Sequence, residues 1–212
     1  MLIGVLTQPK SKFNKDTFPE RDYVLSVNRE FLEASGMVRA VPIYFDMPSE
    51  DLDALLEKLD GVHFTGGGLD LYNFTSESWH PYYVTAKRIF NYATSNLAFA
   101  NGTVHRQFLL TGICQGFELL SILASEDKND LLRVLEYDNV LRPVFWEWAS
   151  MDDVKRNSRL FADFEPSLLL AMAEQELAFH YHTYGVSYSD YQTISALNNF
   201  FKVIATDHTV QG

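Results

Sequence analysis

The sequence predicts an α/β fold built on a mainly parallel sheet flanked by helices. Three observations carry this expectation: apolar runs of strand length that end at glycine or a turn, one-faced helical stretches between them, and strands that pass into helices through glycine-bearing turns. Parallel neighbours need a long crossover, usually helical and right-handed, and the spacing supplies one after each strand.

Leu2-Ile3-Gly4-Val5-Leu6 is too short for a helix and runs into Gln8-Pro9-Lys10, so it reads as a buried strand. Over 23–35, Val24, Val27, Phe31 and Leu32 share one helical face, and Gly36 can close that helix in the left-handed conformation. Residues 38–44 return to a β-branched apolar run. Ser49 is then the expected cap of a helix burying Leu52, Leu55, Leu56 and Leu59, stopped by Gly61. Val62-His63-Phe64-Thr65 is the third strand and enters Gly66-Gly67-Gly68. A polar connection leads to a helix over 83–97. Phe108-Leu109-Leu110-Thr111-Gly112 is the fourth strand, and a helix over 117–123 follows it almost at once. Beyond Ala124 the pattern weakens. It predicts a polar loop at 125–130, two short strands within 131–145, a helix over 165–173 with Pro166 in its first turn, and strands at 177–179 and 201–205. No repeat or linker divides the 212 residues, which read as one domain.

Composition narrows the function classes. An apolar fraction of 47% with 14% aromatics specifies a packed core rather than disorder. No window approaches the roughly 18–20 uninterrupted apolar residues that span a bilayer. A net charge of -11 with no basic run argues against a nucleic-acid partner. The single cysteine, Cys114, excludes an intrachain disulfide framework and makes a thiolate zinc site implausible; neither a metal nor a cofactor is expected. Asn73-Phe74-Thr75 and Asn101-Gly102-Thr103 are glycosylation sequons and point to the secretory pathway.

The segment that carries chemistry is Gly112-Ile113-Cys114-Gln115-Gly116-Phe117-Glu118, where a buried strand turns sharply into a helix. A nucleophile on such a turn is backbone-strained, and crowding demands small residues two before and two after it, here Gly112 and Gly116. The N-terminus of the helix is expected to lower the thiol pKa of Cys114. Thiolate attack on an amide creates an oxyanion, for which the backbone N–H of Gln115 is one donor. Gly67, in the glycine loop at the carboxyl end of an earlier strand, is the candidate for the second. That loop does not match a nucleotide-binding fingerprint. Glu118, in the first helical turn, complements the helix dipole and could receive a substrate amino or amide group.

These segments resemble the γ-glutamyl hydrolases, cysteine hydrolases related to class I glutamine amidotransferases. The resemblance runs through Ile3-Gly4-Val5-Leu6-Thr7-Gln8, Tyr23, Phe31-Leu32-Glu33-Ala34-Ser35-Gly36, Val41-Pro42-Ile43, Phe64-Thr65-Gly66-Gly67-Gly68-Leu69-Asp70 and the elbow itself. It continues at His182-Thr183-Tyr184-Gly185-Val186-Ser187 and Phe200-Phe201-Lys202-Val203-Ile204. It implies a flavodoxin-like three-layer sandwich and cleavage of γ-glutamyl bonds in folyl and antifolate polyglutamates through a Cys114 thioester. It also implies a lysosomal, vacuolar or extracellular location. By the same resemblance Tyr23 lines the substrate pocket, Arg21 is a contact for a glutamate carboxylate, and His182 is an auxiliary residue that positions or polarises the substrate. The family departs from this chain at Glu30, where it usually carries Lys. Its general base is a histidine in a Trp-His-Pro-Glu segment after a further strand. The chain reaches Gly212 before any such segment, so the C-terminal part of the domain is expected to be missing from it. The alternative is an inactive relative that binds γ-glutamyl ligands or serves as a structural component; a glutaminase feeding a synthase is less favoured. The expected partner is a small folyl poly-γ-glutamate, and a homodimer is left open.

Overall fold

The structure, a computed structural model, describes residues 1–10, 22–97 and 108–207. The chain divides into two compact units, Met1–Leu123 and Ala124–Gly212, each described by itself.

The first unit holds β1 (Leu2–Leu6), the short strands β2 (Gln8–Pro9) and β3 (Asp22–Tyr23), and α1 (Ser26–Glu33). They are followed by β4 (Arg39–Ile43), α2 (Ser49–Leu56), β5 (Gly61–Phe64), the hairpin strands β6 (Tyr72–Asn73) and β7 (Ser78–Trp79), and α3 (Pro81–Leu97). It closes with β8 (Leu109–Gly112) and α4 (Gln115–Ala124). Four strands form a parallel sheet in the order β4-β1-β5-β8. Gly4 stands opposite Val41 and Val62, and His63 opposite Thr111. The first crossover runs outward from β1 to β4 and the next returns past it to β5. The winding therefore reverses between β1 and β5, and the crevice beyond the carboxyl ends of the strands opens there.

The two central strands are buried because they are largely apolar: Ile3, Val5 and Leu6 of β1 and Val62 and Phe64 of β5 are each at most 2% exposed. Leu52, Leu56 and Leu59 from α2 and its end, with Tyr82, Tyr83, Ala86 and Ile89 from α3, complete that core. The stripe expected on α1 behaves differently. The helix begins only at Ser26 because Leu25 is extended, and Tyr23 is drawn into a ribbon in which it pairs with Gln8. Phe31 is 63% exposed, and no residue of α1 is buried. Gly36 does close the segment, at φ 71.

Two further expectations are corrected in this unit. Pro48, not Ser49, is the N-cap of α2, without a side-chain cap, and the helix ends at Leu56 while Gly61 begins β5. The connection after the glycine loop contains the β6–β7 hairpin, in which Trp79 stacks on Tyr83 at 3.7 Å.

The second unit contains β9 (Arg133–Arg142), β10 (Phe145–Trp146), α5 (Met151–Asn157), α6 (Pro166–Glu174), β11 (Ala178–Gly185), α7 (Tyr188–Thr193), α8 (Ser195–Phe200) and β12 (Ala205–Thr206). Here one long strand replaces the expected short pair, because β9 pairs antiparallel with β11 over its length, with irregularities on either side of His182. Residues 201–204 are not a strand; pairing starts at Ala205, against Trp146. Helices α5 and α7 went unpredicted because six or seven residues show too little periodicity. Their caps are explicit: the Ser150 and Ser187 hydroxyls accept from the backbone N–H of Asp153 and Asp190 at 3.2 and 3.1 Å.

Burial separates two residues that the periodic pattern treats alike. Leu56→Ala is expected to lower unfolding stability by about 2–5 kcal/mol, whereas Phe31→Ala changes it by no more than about 0.5 kcal/mol. Urea midpoints of the two variants check this.

Candidate active site

The site forms where three parallel strands end. Beyond β8 the chain turns through Ile113 and Cys114 directly into α4, and Cys114 adopts φ 54, the left-handed region that favours glycine. The turn is closed by Ile113 N–H donating to the Phe64 carbonyl at 3.1 Å and by Phe117 and Glu118 N–H donating to the Cys114 carbonyl at 2.9 and 3.1 Å. Both flanking glycines are sterically required. A Cβ on Gly112 would lie 2.4 Å from the Gly116 carbonyl oxygen, and one on Gly116 would lie 2.1 Å from that of Phe64.

Beyond β5, Gly66 comes so near the elbow that a Cβ there would stand 3.3 Å from Cys114 Cβ and 3.7 Å from its Sγ. The backbone amides of Gln115 and Gly67 lie near enough to the thiol to favour its ionised form. These are the two donors singled out from the sequence, one beyond the end of β8 and one beyond the end of β5. The side chain of Gln115 is buried and reaches across to the same loop. Its Nε2 donates to the Leu69 carbonyl at 2.7 Å, and its Oε1 accepts from Leu69 N–H at 3.3 Å. Beyond β1, buried Gln8 completes the cluster, its Nε2 donating to the Tyr82 hydroxyl at 3.2 Å. A Cβ on Gly67 would come within 2.8 Å of Gln8 Nε2. Gln8 was missed as a site residue; its signal is a polar side chain at the carboxyl end of an otherwise apolar parallel strand.

Electrostatics depart from expectation. Cys114 is exposed at the elbow, yet partial desolvation pushes its thiol up and the Glu118 carboxyl adds to this, while the Gln115 and Gly67 amides act in the opposite direction. Desolvation therefore outweighs the helix N-terminus in the resting site. Glu118 is 7% exposed, and burial raises its pKa from 4.5 to about 7.

The remaining candidates are distributed as follows. Tyr23 is half-buried in the ribbon opposite Gln8. Asn73 is exposed at the hairpin, its Oδ1 accepting from Thr75 and Ser76 N–H at 2.9 and 3.1 Å. Arg21 and Asn101 lie outside the described residues. His182 belongs to the second unit, on β11. Its Nδ1 meets the Tyr184 carbonyl at 2.9 Å and so carries the proton, leaving Nε2 to accept from His180 Nδ1 at 3.1 Å. Asp207 stands 3.4 Å beyond, against His180 Nε2. A concavity of about 1030 Å³ lies elsewhere in the first unit, lined by residues including Asp53, Arg88, Trp79 and Tyr92, and contains no residue of the elbow. Among the described residues no group of three or more His, Cys, Asp or Glu side chains could hold a metal ion, and no helix is long and apolar enough to cross a membrane.

A parallel sheet bearing a cysteine elbow, with a glycine loop from the adjacent strand against the sulfur, is the architecture of the class I glutamine amidotransferase-like α/β fold. Within that class the chain belongs to the Peptidase C26 family, whose sequence model matches residues 1–127. It is 31% identical over 209 residues to Gamma-glutamyl hydrolase 1 of Arabidopsis thaliana, covering 97% of this chain and 54% of that protein. It is 29% identical over 207 residues to Gamma-glutamyl hydrolase of Homo sapiens, covering 97% and 58%. The corresponding Mus musculus protein shows 30% identity over 207 residues with the same coverage. The chain spans about half the length of the curated relatives it matches.

The raised Glu118 carboxyl has a defined signature. A group that is protonated in the folded state up to about pH 7 but only to 4.5 when unfolded contributes stability fully present below 4.5 and lost as pH rises through 7. Glu118→Gln is expected to remove that decline. Urea midpoints of wild type and variant at pH 4.5 and 7.5 should show a smaller difference in the variant.

Proposed function

We propose that this chain is a thiol-dependent γ-glutamyl hydrolase, with Cys114 as nucleophile and the Gln115 and Gly67 amides as its oxyanion hole. The observation that carries the reading is the strained Cys114, with the Gln115 N–H at the start of α4 and the Gly67 N–H in the loop after β5 both near its thiol. Such donors stabilise charge that develops only during reaction, each by about 3 kcal/mol. The relatives are named as γ-glutamyl hydrolases, and the family resemblance implies a folyl or antifolate poly-γ-glutamate as the substrate.

In this mechanism the sulfur attacks the γ-carbonyl carbon, and the C=O pair moves onto oxygen between the two amides. Collapse expels the amine, which takes up a proton, and leaves a thioester on Cys114. Water then adds to the thioester and releases the acid. Protons are carried by a general acid–base, a histidine in the family pattern, and the raised resting pKa of Cys114 makes that assistance necessary. Glu118, in the first turn of α4 with its pKa raised to about 7, meets the substrate's amino or amide group, and Tyr23 lines the approach. His182, oriented by His180 and the Tyr184 carbonyl, has a supporting role. The same reading puts the protein in a lysosome, vacuole or the extracellular space, with Asn73 open to glycan attachment.

Cys114→Ala is expected to lower the steady-state rate on a γ-glutamyl amide by about 10³-fold or more while preserving the fold, and His182→Asn to lower it less. Turnover retained by Cys114→Ala would sink the nucleophile assignment. A folded wild type with neither turnover nor a trapped acyl adduct on Cys114 by mass spectrometry would favour the inactive binding protein.

A further inference from the structure

The side chain of Gln115 has a function separate from that of its backbone N–H. We propose that it is a positioning residue that fixes the second oxyanion donor, the Gly67 amide, by clipping the glycine loop to the elbow; this rests on the acyl-transfer reading above. The clip is two-pointed. One side-chain amide satisfies both the N–H and the C=O of Leu69, two residues beyond Gly67, as a neighbouring strand would.

Packing leaves the loop little freedom on the inner side. A Cβ on Gly67 would stand 2.7 Å from Gln115 Oε1 and 2.8 Å from Gln8 Cδ and Nε2, so the glycine occupies a slot between two amides. Gln8 and Gln115 are 3% and 4% exposed, and Gln8 is anchored in turn by the Tyr82 hydroxyl. Outward, Gly67 and Gly68 face solvent, and nothing about a run of three glycines selects one backbone path. An oxyanion donor acts only when it stands within about 2.7–3.1 Å of the developing charge. Gln115 therefore supplies one donor through its backbone and sets the other through its side chain, coupling the turn after β8 to the loop after β5. An apolar side chain of equal size would fill the slot and leave both Leu69 groups without these bonds.

The test uses a reversible adduct and needs no turnover. The thiol of Cys114 adds to the carbonyl carbon of N-acetylglutamate γ-semialdehyde, forming an S–C bond while the C=O pair moves onto an oxygen facing the two amides and the thiol's proton passes to solvent. Affinity is read as protection of Cys114 from iodoacetamide, whose displacement of iodide builds no oxyanion. Gln115→Met, which fills the slot without the bonds, is expected to weaken aldehyde protection by about tenfold or more while the alkylation rate changes by less than about threefold. Gln115→Glu retains the acceptor for Leu69 N–H but turns a carboxylate oxygen towards the Leu69 carbonyl; it is expected to show a similar loss and carries the comparison if the Met variant does not fold. Aldehyde protection within about twofold of wild type in the folded variants would overturn the proposal, as would a parallel fall in both readouts, which marks general loosening. A wild type that is alkylated at Cys114 but never protected by the aldehyde would instead overturn the acyl-transfer reading itself.

Discussion

The geometry of the site depends on one close approach of backbone to backbone. The Phe64 carbonyl, at the end of β5, accepts the Ile113 N–H and leaves no room for a side chain at 116. That contact draws the start of α4 against the sheet and obliges the chain to reverse within two residues, with Cys114 at its apex. A non-glycine residue in this conformation costs about 1–2 kcal/mol. It persists because the flanking elements are packed: Phe64 and Leu119 have no exposed surface. Strain at the sulfur is thus sustained by the apolar core beneath it, which separates the folding energy from the chemistry it supports.

Around this apex the carboxyl ends of the strands exchange polar contacts instead of apolar ones. The Thr7 hydroxyl, just past β1, donates to Asp22 at 2.7 Å and accepts from Phe45 N–H at 3.0 Å, tying the ribbon and the end of β4 together. Thr85 on α3 donates to the Phe45 carbonyl at 2.6 Å. Gln8 and Gln115 extend the same network to the glycine loop. A buried amide left unpaired costs about 1–3 kcal/mol, so each of these groups restricts the loops to arrangements that satisfy it. The winding reversal makes a crevice; these side chains determine which loop conformation borders it.

The electrostatic character of the site follows from the same burial. Thiol and carboxyl are both pushed towards their neutral forms, Cys114 by desolvation with Glu118 reinforcing it, and Glu118 by desolvation. His63, half a strand below, is also held neutral by burial while its Nδ1 meets the Thr111 hydroxyl at 2.8 Å. An uncharged resting centre keeps the desolvation cost low. The two amides at the sulfur are oriented before any charge appears, so they act most strongly on the anion formed during attack.

By itself the amino-acid sequence determined the order of the four sheet strands and the helices between them in the first unit, the apolar runs of its central strands, and the elbow with its two obligatory small residues. Each is a local property, readable as periodicity, strand length or glycine placement. It also pointed to Gln115 and Gly67, because the residue after a nucleophile and a glycine loop at a strand end have predictable backbone donors. Tertiary structure alone decided what lies between segments. Phe31 belongs to a regular apolar stripe yet is exposed, since periodicity says which residues share a face and not what that face meets. The length of β9 was set by pairing with β11, some forty residues away, and the ring nitrogens of His182 were committed by that strand and by His180. The Gln115 clip and the slot around Gly67 likewise join residues about fifty positions apart, and Glu118 acquired its raised pKa from burial that no local pattern records. Hydrogen bonds and desolvation at the site depend on three-dimensional proximity, whereas periodicity and turn chemistry are encoded within a few residues of chain.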